Sequence, residues 1–353
     1  MIFIAIASIL VLVILHELGH FFVARKFGVK VEEFGIGLPP RIWGKQFGET
    51  LYSINLLPLG AFVRMAGEEK RSNDPRSFSR QSVFARMLIV AGGVLVFWGV
   101  AAVLFAGLGA ITGIPTSIDD EQEIPGAQVH ILAVSGESPA ESAGIQAGDI
   151  VLSANGFEIT KVGQLQDLAK QSGSKELVLD VKRGSETVEI TAIPRENPPE
   201  GEGALGVMLG RTAFIKFPWY QAPFQGVKIA GIMTAQIIQG LWNTILSVGS
   251  GQGLPQGTQM TGPVGIVFLL QNTLAVGIPS FLFFVGMLSV YLAVFNVLPI
   301  PAADGGRLLF LGIELFRKKP LAEHIEQKII GVSFAILIAF LIFVTIKDIS
   351  RLL

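Results

Sequence analysis

The chain has 353 residues, half of them hydrophobic and 16% charged, with a formal net charge of −1. A mean hydropathy of +0.57 excludes an ordinary soluble globular protein, and the near-zero charge excludes a nucleic-acid binder that works through a basic surface. With no cysteine, neither disulfides nor thiolate ligands are available, so a bound metal would fall to Asp, Glu, water and the four His.

Residues 1–24 read as a first membrane span. They lack the basic start and small-residue cleavage site of a signal peptide. Inside this run stands Ile14-Leu15-His16-Glu17-Leu18-Gly19-His20-Phe21. On a helix, His-Glu-x-x-His sets His16 and His20 on one face, one turn apart, with Glu17 beside them. Two imidazoles so spaced grip one zinc ion, and the Glu is placed to take a proton from an attacking water. Each ionisable group costs about 2–3 kcal/mol at a bilayer centre, so a chain keeps three of them there for a site rather than for packing.

Residues 25–86 are polar and basic, from Arg25 and Lys26 through Lys70 and Arg71 to Arg86. Within them, 31–65 predict β structure, punctuated by Gly35, Gly37, Pro39 and Pro40, with a turn at Gln46-Phe47-Gly48-Glu49. Residues 87–114 predict a second span. Residues 115–217 are polar and begin acidic, with Asp119, Asp120, Glu121 and Glu123. Residues 218–277 read as an interfacial amphipathic helix and linker. An extra span is the alternative there, opposed by Lys228, Gln236, Gln239 and Asn243. Residues 278–299 predict a third span and 329–346 a fourth, with basic residues between them at Arg307, Arg317, Lys318, Lys319 and Lys328. The expected fold is a polytopic helical membrane protein with four transmembrane helices and one mainly β domain outside. The positive-inside rule puts 25–86 and 302–328 in the cytoplasm, both termini and 115–277 outside, and the site toward the cytoplasm.

A catalytic zinc wants a third protein ligand. Asp304 is the candidate, in Asn296-Val297-Leu298-Pro299-Ile300-Pro301-Ala302-Ala303-Asp304-Gly305-Gly306. Pro299 and Pro301 break the third span, and the two glycines let the chain turn at the inner membrane edge. His130 and His324 read as surface residues.

These two motifs, at opposite ends of the chain, resemble those of the site-2 protease family, zinc metalloproteases that cut substrates inside the membrane. The resemblance implies His16, His20 and Asp304 as zinc ligands, Glu17 as catalytic base, and single-span membrane proteins as substrates. The chain departs from the family at Ala91-Gly92-Gly93-Val94-Leu95-Val96, where Ala-Gly-Pro-x-x-Asn is usual, and at Ala303, where Leu is usual. The family's β segment after the first span dips into the membrane. A substrate unwound from its helix would satisfy its main chain by strand addition there, which makes Gly35 and Gly37 candidate substrate-binding positions; an ordinary cytoplasmic hairpin is the alternative. Asn296 is placed either to bond an exposed substrate backbone or to join two helices.

Ser138-Pro139-Ala140-Glu141-Ser142-Ala143-Gly144 and Ala147-Gly148-Asp149-Ile150 resemble a bacterial PDZ domain, with its core at 127–210, its helix from Val162 to Gln171 and a groove strand at 203–207. Such a domain would either bind a peptide or protein end or act as a filter against bulky ectodomains. A catalytically silent scaffold with a structural zinc is the competing reading, opposed by Glu17, since a structural site needs no base. A zinc or proton transporter would need more polar residues in the spans than this chain has.

Overall fold

The computed structural model describes residues 1–68, 72–184, 186–199, 202–253 and 260–352. Lys70 and Arg71 of the basic segment lie outside these. The chain divides into two compact units, one built from Met1–Ala106 and Pro223–Leu353, the other from Gly107–Ala222.

In the first unit, helix α1 (Ile2–Lys26) and helix α2 (Val83–Ile111) are apolar on every side, the mark of helices surrounded by lipid or protein rather than water. They meet backbone to backbone. A Cβ at Gly19 would fall 2.5 Å from the Gly92 carbonyl oxygen, so only glycines permit this crossing. Helix α7 (Ile278–Val297) joins α2 through Ser289, whose buried hydroxyl donates to the Phe97 carbonyl at 2.7 Å. Ala5, Leu12, Phe97, Leu270, Phe281 and Val285 form the core between α1, α2, α7 and helix α6 (Pro263–Val276). The N-terminus of α6 is capped from helix α9 (Glu323–Leu352): buried Asp348 accepts from Gly262 N at 3.1 Å and Gly265 N at 2.8 Å.

Strands β1 (Val31–Phe47) and β2 (Thr50–Met65) pair antiparallel. Each doubles back on itself, β1 at Pro39-Pro40 and β2 between Leu57 and Ala61. The register therefore gives four ribbons. Phe34 pairs with both Tyr52 and Val63, and Gly35 with both Ser53 and Phe62, so 31–38 lies inside the sheet, with 61–65 on one edge and 41–47 on the other. Glu33 is buried in this sheet and satisfied by Ser53 and Arg64. Phe21, Ala24, Val31, Phe34, Met65 and Ile89 pack the sheet onto the ends of α1 and α2.

Five described helices are long and apolar enough to cross a membrane, one more than the four expected. The additional one is α5 (Ala222–Gly249), the least apolar of the five. The stretch expected as linker also contains α6, too short for a span. The second predicted span reaches only Ile111. Gly113, at φ +94°, ends the helix, and Ile114–Ser117 becomes strand β3.

The second unit is a seven-stranded antiparallel sheet ordered β3-β9-β4-β5-β7-β8, with β6 (Phe157–Glu158) paired to β5. It uses β4 (Gln128–Val134), β5 (Ile150–Ala154), β7 (Leu177–Arg183), β8 (Glu186–Ala192) and β9 (Val207–Ile215). Its core is Val129, Ile131, Val151, Leu165, Leu177, Leu179 and Val181, closed by helices α3 (Pro139–Ser142) and α4 (Val162–Ser172). Asp149, 1% exposed, is held by a bidentate pair with Arg183 at 2.8 and 2.7 Å and by Gln146 N at 2.9 Å. The strand expected at 203–207 instead starts at Val207. Gly203–Gly206 forms a turn, because Gly206 takes φ +73° and returns its N–H to the Gly203 carbonyl.

Candidate metal centre

The site is assembled from two helices of the first unit. On α1 the four-residue spacing stacks His16 and His20 on the face turned to α2, with both residues under 10% exposed and their Nε2 atoms 3.2 Å apart. The His16 ring lies on Phe97, centroids 4.4 Å apart. His20 Nδ1 is 3.0 Å from the Ile89 carbonyl oxygen. A carbonyl can only accept, so Nδ1 carries the proton and Nε2 keeps its lone pair free toward the centre. Gly93 faces the same two imidazoles.

Asp304 is the first residue of α8 (Asp304–Arg317). Pro299 and Pro301 prevent α7 from continuing, and the chain folds back so closely that a Cβ at Gly305 would fall 2.1 Å from the Leu298 carbonyl oxygen. This tight return carries the carboxylate to the imidazoles. Asp304 Oδ2 stands 3.2 Å from His16 Nε2 and 3.3 Å from His20 Nε2.

These spacings test whether zinc fits. Ligands about 2.0–2.1 Å from a tetrahedral ion lie about 3.3 Å from one another. All three observed separations agree, and Asp304 Oδ2 is buried with no hydrogen-bond partner. Among the described residues, these three form a cluster whose ligand atoms all lie within 4.8 Å. His130, on β4, and exposed His324, on α9, take no part in it.

A cavity of about 300 Å³ opens beside the cluster, lined by Glu17, Phe62, Val63, Met65, Glu68, Asn296 and Arg307 among others. The Asn296 side-chain amide donates to the Leu292 carbonyl of its own helix at 2.9 Å. Gly35 and Gly37 do not line the cavity. They sit in the inner ribbon, where Gly35 already has a neighbour on each side. The sheet edge beside the centre is 61–65. Glu68 and Arg307 line the cavity as well, although neither stands in a sequence motif. For Arg307 a signal existed, since three residues beyond Asp304 on a helix is the same face.

The sequence pattern of peptidase family M50 matches residues 4–340. A Clostridium perfringens protein carrying a zinc metalloprotease name is 32% identical over 98% of this chain and 97% of its own length. Zinc metalloprotease RasP of Shouchella clausii is 28% identical over 99% of this chain and 98% of its own length. Regulator of sigma-W protease RasP of Bacillus subtilis is 26% identical, over 97% of this chain and 96% of its own.

Proposed function

Since this chain belongs to peptidase family M50, the site-2 protease family, we propose that it hydrolyses peptide bonds inside the transmembrane segments of single-span proteins. As a member it is a zinc metalloendopeptidase and a multi-pass membrane protein. The observation that carries the reading is the convergence of His16, His20 and Asp304 beside a cavity that Glu17 also lines.

His16, His20 and Asp304 hold the zinc in this reading. When bound, the ion supplies Lewis acidity that activates a water and polarises a carbonyl. Glu17 accepts the proton of the attacking water and passes it to the leaving amine. An unwound substrate extends along edge 61–65 and satisfies its main chain by strand addition, while Asn296 offers its amide to a freed substrate carbonyl. The cleaved class includes anti-sigma factors, in keeping with the sigma-W name of the B. subtilis relative.

The setting is the inner, or plasma, membrane, with the site facing the cytoplasm and both termini outside. The contact between Asp304 and the α1 imidazoles supports this. It requires α1 and α7 to end on the same side of the membrane, so α5 and α6 together must produce no net crossing. At 14 residues, α6 spans about 21 Å, short of a hydrocarbon core of about 30 Å. Helix α5 packs along α2, with Gly226 on Ala102 and Ala106 and the Thr234 hydroxyl accepting from Trp98 at 3.2 Å, so in this reading the chain enters the membrane beside α2 and returns to the outer side before α7. The second unit is assigned as a PDZ domain outside, screening substrates by the size of their ectodomains.

Glu17→Gln is expected to retain zinc and lose cleavage of a single-span substrate, and His16→Ala to lose both, read by metal analysis of purified protein beside a cleavage assay. Full cleavage by Glu17→Gln would overturn the assignment.

A further inference from the structure

The pair Glu68–Arg307 has no role in the reading above. Arg307 lies one turn beyond Asp304 on α8, and its guanidinium pairs with the Glu68 carboxylate. The other oxygen of Glu68 accepts the Met65 N–H at 3.2 Å, which anchors that carboxylate at the end of the sheet edge. Among the described residues lining the metal-centre cavity, Arg307 is the one guanidinium or ammonium. Both side chains also line a neighbouring cavity of about 470 Å³, walled by Phe78, Arg86, Phe310, Glu314 and Phe334 among others. Arg86 is held there by Glu314 in a bidentate pair at 3.1 and 2.5 Å. The Glu68–Arg307 pair therefore belongs to the wall that the two cavities share.

Peptide hydrolysis in such a place makes charge where none existed. Water adds across the C–N bond. One fragment keeps the oxygen and ends as a carboxylate, and the other takes the protons and ends as an ammonium. Two bare ions in a low-dielectric site are costly unless each finds a partner. The resident pair offers one group of each sign. Resting on the hydrolytic reading of the His16–His20–Asp304 centre, we propose that Glu68 and Arg307 form a receptor for the newly cut ends: Arg307 binds the new carboxylate and Glu68 the new ammonium. One salt bridge opens and two form, and the larger cavity gives a departing end room to move.

The test uses the full-length zinc-loaded chain in detergent and small probes. Acetyl-Leu-Ala-Leu is compared with its C-terminal amide, and Leu-Ala-Leu-amide with its N-acetylated form, by equilibrium dialysis. A charge-assisted contact predicts about a tenfold preference for each charged form. Arg307→Gln should abolish the acid preference and Arg307→Lys retain part of it. Glu68→Gln should abolish the amine preference and leave that for the acid. An acid preference unchanged in Arg307→Gln would mean the metal alone holds the carboxylate, and the proposal fails. Equal or undetectable binding of acid and amide to the native chain also overturns it. Should Arg307→Gln not fold, an amine preference that survives Glu68→Gln decides against it. The hydrolytic reading is judged separately: cleavage by Glu17→Gln ends that reading, whereas an inert Glu17→Gln with Arg307-independent acid binding ends the receptor alone.

Discussion

At the scale of single residues, the site depends on which atoms are already engaged. The Ile89 carbonyl fixes the tautomer of His20 and turns Nε2 inward. Asn296 is different, because one N–H of its amide is bonded to its own helix at 2.9 Å, which fixes the side chain and leaves the second N–H for a substrate carbonyl. Asn296→Ala is therefore expected to raise KM for a helical single-span substrate severalfold and to leave cleavage of an unstructured peptide unchanged. Equal kinetics on the two substrates would remove the clamp role. His16, Glu17 and His20 were readable because their relation is local, set by the helical repeat. Asp304 was readable because prolines and glycines announce irregular backbone. Glu68 was not, since its partner Arg307 lies 239 residues away and no short-range pattern joins them.

At the scale of elements, the α1–α2 crossing sets the distance from the imidazoles to everything around them. Gly19→Leu inserts a side chain where a Cβ would already lie 2.5 Å from the Gly92 carbonyl oxygen. Overpacking of this kind costs about 1–3 kcal/mol, so a lower thermal midpoint and reduced zinc content are expected together, read on the purified protein. The cap on α6 gives a second case. Asp348→Ala removes two charge-assisted bonds to Gly262 and Gly265, each worth about 1.5–3 kcal/mol at most. A midpoint unchanged by this substitution would show that α9 is held by other contacts. Helices α1, α2, α7 and α9 were legible as apolar runs, whereas α6, α8 and the doubling of β1 and β2 were not. Periodicity marks a strand but does not say that 31–38 lies inside the sheet or that 61–65 is the edge beside the centre.

At the scale of the whole chain, the two units have separate cores. The insert Gly107–Ala222 buries its own apolar cluster, from Val129 to Leu205. Expressed alone, it is expected to unfold cooperatively in denaturant. His130 on β4 gives that transition a pH signature. Burial pushes its imidazole below the ordinary value of 6.5, so the unfolded chain binds a proton that the folded chain refuses. Stability contributed by the neutral ring is present above about pH 6.5 and lost as the pH falls toward the lower folded value. The urea midpoint should therefore drop between pH 7.5 and 5.5, and His130→Gln should flatten that drop. Alternating apolar residues at 129–134, 150–156, 177–184 and 187–191 mark the insert's strands β4, β5, β7 and β8 in the sequence. Strand β3 was hidden because Ile114 continues the apolar run of α2, and only the turn at Gly113 separates them.

The distance in sequence between the imidazoles and the carboxylate also governs when the protein becomes dangerous to its neighbours. During translation the HExxH helix enters the bilayer first, and the segment bearing Asp304 leaves the ribosome only after the whole insert has been made. Until then the growing polypeptide holds His16, Glu17 and His20 without Asp304, and the proposed centre is incomplete.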